Sequence, residues 1–212
     1  MIANLVCSMN WYDGLVYILN NNLCTCSGEI IASLRAESDL NDKIWHCTGY
    51  YTQARMYCSG GPILMINKSP LLSLNLAKKV VKENFEEKPA LIEMEEYLKY
   101  LRMAEKDMKK SPREREAMII SPDDSCYISS SQNWEMAEFI FRTWADKYFR
   151  KLESIGISKI KIHLLNNDYI NILESPIIEQ SRIGAINKES YLVGNAHSLD
   201  DFNYNIFAYR NI

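Results

Sequence analysis

Residues 44–69, IWHCTGYYTQARMYCSGGPILMINKS, hold two runs of β-type composition separated by a turn signal. The first run, read as KIWHCTGYYT from Lys43, carries the aromatic and β-branched residues that suit a pleated, half-buried surface. Gly60, Gly61 and Pro62 punctuate the chain, and ILMI follows as a second strand. Upstream, DGLVYILNNNL at 13–23 places Leu15, Ile18 and Leu19 on one helical face and ends on an asparagine run suited to a C-terminal cap. CTCSGEIIASLRAESDLND at 24–42 reads as a turn with a polar loop or short helix. Downstream, 73–85 has helical spacing, and 95–118 reads as a charged helix that becomes an exposed loop at Pro112. In SKIKIHLLNN, Ile160, Ile162 and Leu164 alternate on one face of a strand. Short strand-like pieces continue from Tyr169 to the closing YNIFAYRNI. The expected class is α+β, as one domain over 1–212.

Composition narrows the function. The chain has 212 residues, 47% hydrophobic and 24% charged, which excludes a disordered or fibrous protein. No run approaches the ~18 apolar residues of a membrane span, and MIANLVCSMNWYDG lacks the basic start and apolar centre of a signal peptide. No membrane partner and a cytoplasmic location are therefore expected. The six cysteines form no CxxC pair, so free thiols and no bound metal are expected. A net charge of −3 argues against a broad duplex-binding face. A nucleic acid would need a local grip, and KDMKKSPRERE, with Lys106, Lys109, Lys110, Arg113 and Arg115, is the obvious basic cluster.

Two segments hold residues with chemical potential. His46 lies among Trp45, Tyr50, Tyr51, Tyr57 and Arg55, a set able to stack on a heterocycle and pair with phosphate. The same pattern equally describes half-buried strand positions with a surface arginine. Arg35 in ASLRAES has the same ambiguity. In WEMAEFIF, Ala137, Phe139 and Phe141 alternate with Glu138 and Ile140, so a strand would aim Glu138 at an apolar pocket's edge. There a carboxylate gains proton affinity and serves as acid, base or partner of a cationic transition state. The alternative is an exposed glutamate near a helix start. The expectation adopted is a strand carrying Glu138, followed by a helix.

These segments resemble the DarT-type DNA ADP-ribosyltransferase toxins. Residues 44–79 follow that family's order of a His-containing strand, aromatic pair, arginine, glycine turn, PIL strand and helix. EMAEFIF is similar to its QAEFLV motif, and DGLVYIL to its DNLxxIL helix. The resemblance implies an ADP-ribosyltransferase-like split β-sheet core with flanking helices, and an enzyme that moves ADP-ribose from NAD to a base of single-stranded DNA. Such a glycosyltransferase would act in toxin–antitoxin defence, with a macrodomain antitoxin as a further partner. It makes Glu138 and Arg35 catalytic and places His46, Tyr51 and Arg55 around NAD. Where the family has YHxTH the chain has VCSMNW, so Ser8 and Asn10 would supply hydrogen bonds to the amide. Two other readings remain. One is a catalytically silent nucleotide-binding or interaction module. The other is a two-histidine phosphoesterase suggested by HCT at 46–48, although neither His163 nor His197 has the second HxT pattern.

Overall fold

The computed structural model describes residues 2–6, 9–83, 90–121, 127–186, 190–194 and 205–210. The chain begins with β1 (Ile2–Val6), α1 (Trp11–Asn20), β2 (Cys24–Thr25), α2 (Gly28–Glu37) and α3 (Lys43–His46). It continues through β3 (Gly49–Tyr57), β4 (Ile63–Ile66), α4 (Leu74–Glu83), β5 (Ala90–Leu91), α5 (Met94–Asp107) and β6 (Ala117–Ile120). Next are β7 (Tyr127–Ser129), α6 (Trp134–Phe141), α7 (Ala145–Ser154), β8 (Lys159–His163) and α8 (Asn167–Asn171). The last strands are β9 (Ile177–Ile186), β10 (Ser190–Gly194) and β11 (Asn205–Arg210). The α+β class expected from the sequence is observed. Among the described residues, no helix is long and apolar enough to cross a membrane.

The sheet runs β1-β11-β3-β9-β10-β8-β7, and β3 is its hub. Along one side β3 pairs antiparallel with β9. Its other side is shared: β11 lies parallel at Gly49 and Tyr50, and β4 antiparallel from Ala54 to Met56. The β3–β9 register shifts between Tyr50 and Ala54. Such an irregularity leaves ladder carbonyls without their usual partners. The Gln180 side-chain amide fills that role, its Nε2 donating to the carbonyls of Tyr51 and Gln53.

Alternation along β3 and β4 divides the interior in two. Tyr51, Tyr57, Ile63 and Met65 face the layer of α2, α6 and α7, while Tyr50, Ala54, Met56, Leu64 and Ile66 face α1, α4 and α5. Local capping agrees with the sequence at several helix ends. Asn10 Oδ1 accepts from the Asp13 amide at 2.8 Å to start α1, and Ser27 Oγ accepts from the Ile30 amide at 3.3 Å to start α2. Asn22, in the asparagine run after α1, takes a left-handed φ of 52°.

Two expectations are corrected here and one open alternative is resolved. Glu138 lies on helix α6 and not on a strand, because Met136 and Ile140 are buried as well as Ala137, Phe139 and Phe141. A strand buries one alternating row, whereas this apolar set spreads over a helical face. Arg35 belongs to the last turn of α2, so the short-helix alternative for 24–42 holds over Gly28–Glu37. His46 ends the short helix α3, with β3 beginning only at Gly49.

Gly28 lets α2 approach α6. A Cβ built there would lie 2.5 Å from the Ile140 carbonyl oxygen, a backbone atom that cannot swing away. We predict that Gly28→Ala lowers stability by about 1–3 kcal/mol through overpacking. That outweighs a helix-propensity gain of at most about 1 kcal/mol. Urea unfolding checks this, and an unchanged or raised midpoint would contradict the contact.

Candidate functional site

Arg35 is completely buried, and its guanidinium serves four neutral acceptors. Nε donates to the Ile44 carbonyl at 3.1 Å, Nη1 to the Tyr148 hydroxyl at 3.2 Å, and Nη2 to the carbonyls of Gly184 at 2.8 Å and Cys47 at 3.4 Å. The Trp45 ring lies beneath it, 5.5 Å from Cζ. The arginine thus ties α2 to α3, α7 and β9.

Arg55 is also buried and stands opposite Glu179 across the β3–β9 pair. Its Nη1 donates to the His163 carbonyl at 2.7 Å, and Tyr57 donates to Glu179 Oε2 at 2.8 Å. Burial raises the Glu179 pKa against the opposing pull of Arg55, Tyr57 and Arg182. Tyr51 is buried within the same core, and burial pushes its hydroxyl up to about 12 against the opposing pull of Arg55. His46, by contrast, is exposed, with Nε2 2.7 Å from the Leu40 carbonyl. Asn10 serves as the cap of α1, and Ser8 lies outside the described residues.

Glu138 projects from α6 toward Arg113, which contacts Oε1 at 2.6 Å through Nη2 and 3.0 Å through Nε. The same Nη2 lies 3.2 Å from Asp146. Three residues earlier on the helix, Glu135 meets Arg115 at 3.3 Å. The two glutamates at i and i+3 share a helix face and hold the 113–115 segment. The sequence-expected residues therefore have separate partners: Arg35, Tyr51 and Arg55 in the core, His46 on the surface, Glu138 in an ion pair. The expected basic cluster is also largely engaged, since Lys110 pairs with Asp107 at 2.5 Å alongside the Arg113 and Arg115 pairs.

A cleft that sequence reading missed lies on the other side of the sheet. It encloses about 490 Å³ between the 3₁₀ turn Pro70–Leu72 and α5, with Leu72, Tyr100 and Met103 as apolar lining and Lys68, Ser73 and Glu116 as polar lining. Ser69 Oγ accepts from the Leu71 amide at 3.1 Å, and the buried Trp11 donates from its indole to the Leu71 carbonyl at 2.8 Å, which fixes the turn. The opposite wall depends on Asp107, whose Oδ2 accepts from the Glu116 amide at 2.7 Å and the Ala117 amide at 3.3 Å. The Asn67 amide donates to the Glu116 carbonyl at 3.0 Å, so the ends of β4 and β6 bring Lys68 and Glu116 to one wall.

Arg142 reinforces that wall. Its guanidinium donates to the Arg113 carbonyl and, at 2.7 Å, to the Arg115 carbonyl, and it reaches Glu116 at 3.6 Å. These contacts hold a non-glycine backbone at φ 53° and ψ −127°, a strained conformation that persists only where its surroundings determine it. The cleft's members come from three separate stretches, at 68–73, at Tyr100 and Met103, and at Glu116, and they form no recognisable motif.

No family model matches the sequence, and no curated protein matches it. A solved structure described as "Accommodation of massive sequence variation in Nanoarchaeota by the C-type lectin fold" is similar at a TM-score of 0.67 and 11% identity. The match covers 97% of this chain and 94% of that one. At such identity the likeness concerns the fold alone, and the fold is of the C-type lectin kind. This finding overturns the resemblance to the DarT-type ADP-ribosyltransferases and the split-sheet core it implied. Short motif similarities had linked a strand-borne glutamate to an aromatic strand, whereas this glutamate is helical and ion-paired.

Asp107 yields a pH prediction. Burial alone would raise its pKa, but Lys110 and the amides of Glu116 and Ala117 outweigh it and hold the pKa below its ordinary value. A lowered folded-state pKa means that the carboxylate stabilises the fold above the unfolded value and loses that effect as pH falls through the folded one. Asp107→Asn should lower stability at neutral pH by about 1–3 kcal/mol. It should also shrink the wild-type loss of stability in the acid range below the ordinary aspartate pKa. Chemical unfolding across that range checks both, and parallel wild-type and variant profiles would contradict the assignment.

Proposed function

We propose that the protein is a catalytically silent interaction module that holds a partner protein in the cleft between the Pro70–Leu72 turn and α5. The observation that carries this reading is the cleft itself, about 490 Å³ lined by both apolar side chains and charged or hydroxyl-bearing ones. A recognition surface commonly has an apolar centre and a polar rim, and tyrosine and methionine are enriched there. Arg35 and Glu138, assigned to catalysis from the sequence, and Arg55, assigned to NAD, support the same view, because each is engaged within the fold.

The cleft is poorly suited to a polyphosphate. Glu116 sits beside Lys68 and would repel a second anionic group, while Arg35 and Arg55 are buried elsewhere. NAD and single-stranded DNA are accordingly not the ligands of this reading, and the macrodomain partner, which rested on the toxin resemblance, is not carried forward. The phosphoesterase alternative gains no support from His46, whose ring is engaged by the Leu40 carbonyl. The neighbouring structure's description concerns a fold that accommodates massive sequence variation. The present chain fits a frame whose function resides in the residues presented on it.

Panning a random peptide library against the wild-type chain and a Met103→Glu variant tests the proposal. The expected result is a set of wild-type binders that lose at least about tenfold in affinity, roughly 1.4 kcal/mol, on the variant. No binder sensitive to Met103 would overturn the site. Incubation with labelled NAD and a single-stranded oligonucleotide should leave the DNA unlabelled, and transfer of label would overturn the silent reading.

A further inference from the structure

We infer that the cleft selects an extended peptide segment in which a large apolar side chain is adjacent to a single carboxylate. The inference rests on the reading of the protein as a binding module. Its basis is the uneven use of the two charged groups on one wall. Glu116 is already engaged, with its carboxylate 3.6 Å from Arg142 and its amide held by Asp107 at 2.7 Å. Lys68 is exposed, and among the described residues no carboxylate stands within ion-pair distance of it. The wall therefore offers one uncompensated cation beside one fixed anion.

That pairing sets the charge of the occupant. A ligand carboxylate gains the Lys68 ammonium, and a second anionic group would meet Glu116, so the wall favours one carboxylate over several. The apolar part meets Leu72, the Tyr100 ring and Met103. An unbranched methionine adapts to apolar groups of different shape, which fixes the class of anchor more than its identity. Ser73 and Tyr100, which also line the cleft, carry hydroxyls of a kind that can serve backbone amides, which a fatty acid or simple aromatic acid lacks. The Tyr100 pKa is raised by burial, against the pull of Lys99, so this hydroxyl keeps its proton and can donate at neutral pH.

The test pans a random peptide library in parallel against the wild-type chain and Lys68→Glu, a substitution at an exposed position. Wild-type binders should carry Asp or Glu next to a large apolar residue and weaken about tenfold on Lys68→Glu. Binders selected on that variant should carry Lys or Arg at the same place. Met103-sensitive binders with no acidic preference and no response to Lys68→Glu would overturn this inference while leaving the module reading intact. The absence of any Met103-sensitive binder would overturn both. Displacement of the peptides by 3-phenylpropionate at comparable affinity would overturn the peptide class.

Discussion

The fold depends on a buried arginine that, among the described residues, has no carboxylate partner. Taking a guanidinium out of water costs several kcal/mol, and Arg35 offsets this through carbonyls, a phenol and an aromatic face. Those acceptors belong to α3, α7 and β9, so one side chain sets how α2 lies on the sheet. The consequences extend outward by contact. Gly28 at the start of α2 sits against the Ile140 carbonyl of α6, and α6 then presents Glu135 and Glu138 to Arg115 and Arg113. With Arg142, these pairs hold the segment that enters β6 and positions Glu116 at the cleft.

The two carboxylates at the start of the apolar run 134–141 have a structural role. Glu135 and Glu138 lie on the outward face of a helix whose other faces bury Met136, Phe139 and Ile140. Their role is to fasten a neighbouring arginine segment. In an eight-residue helix, an alternating strand pattern and a helical pattern overlap, and only the burial of both Ile140 and Phe139 separates them. The sequence showed the α+β class, the helix with Leu15 and Ile18 on its buried face, and the alternation of Ile160 and Ile162 because those signals are local, whereas Leu19, expected on the same face, is exposed. Arg35 was not legible in this way. Its acceptors include Tyr148 and Gly184, far along the chain, and taken alone an arginine in ASLRAES has the composition of a solvated residue.

The cleft was hidden for a related reason. Lys68 follows β4, Tyr100 and Met103 occupy successive turns of α5, and Glu116 precedes β6. Only the pairing of β4 with β6 brings these together, and the pairing is non-local. The dense aromatic residues of 44–57 belong to the two cores on either side of β3. A fold shared at 11% identity tolerates wide change in the residues that build it. In this chain the conspicuous chemical groups belong largely to the frame.

The most direct test of that division is hydrogen exchange at the Arg35 side chain, followed by nitrogen-15 NMR on the intact protein with the exposed Arg102 as internal control. The account predicts an Arg35 Nε–H that exchanges far more slowly than that of Arg102, with protection approaching that of the core amides. Exchange of Arg35 as fast as Arg102 would place its guanidinium in solvent and contradict the account.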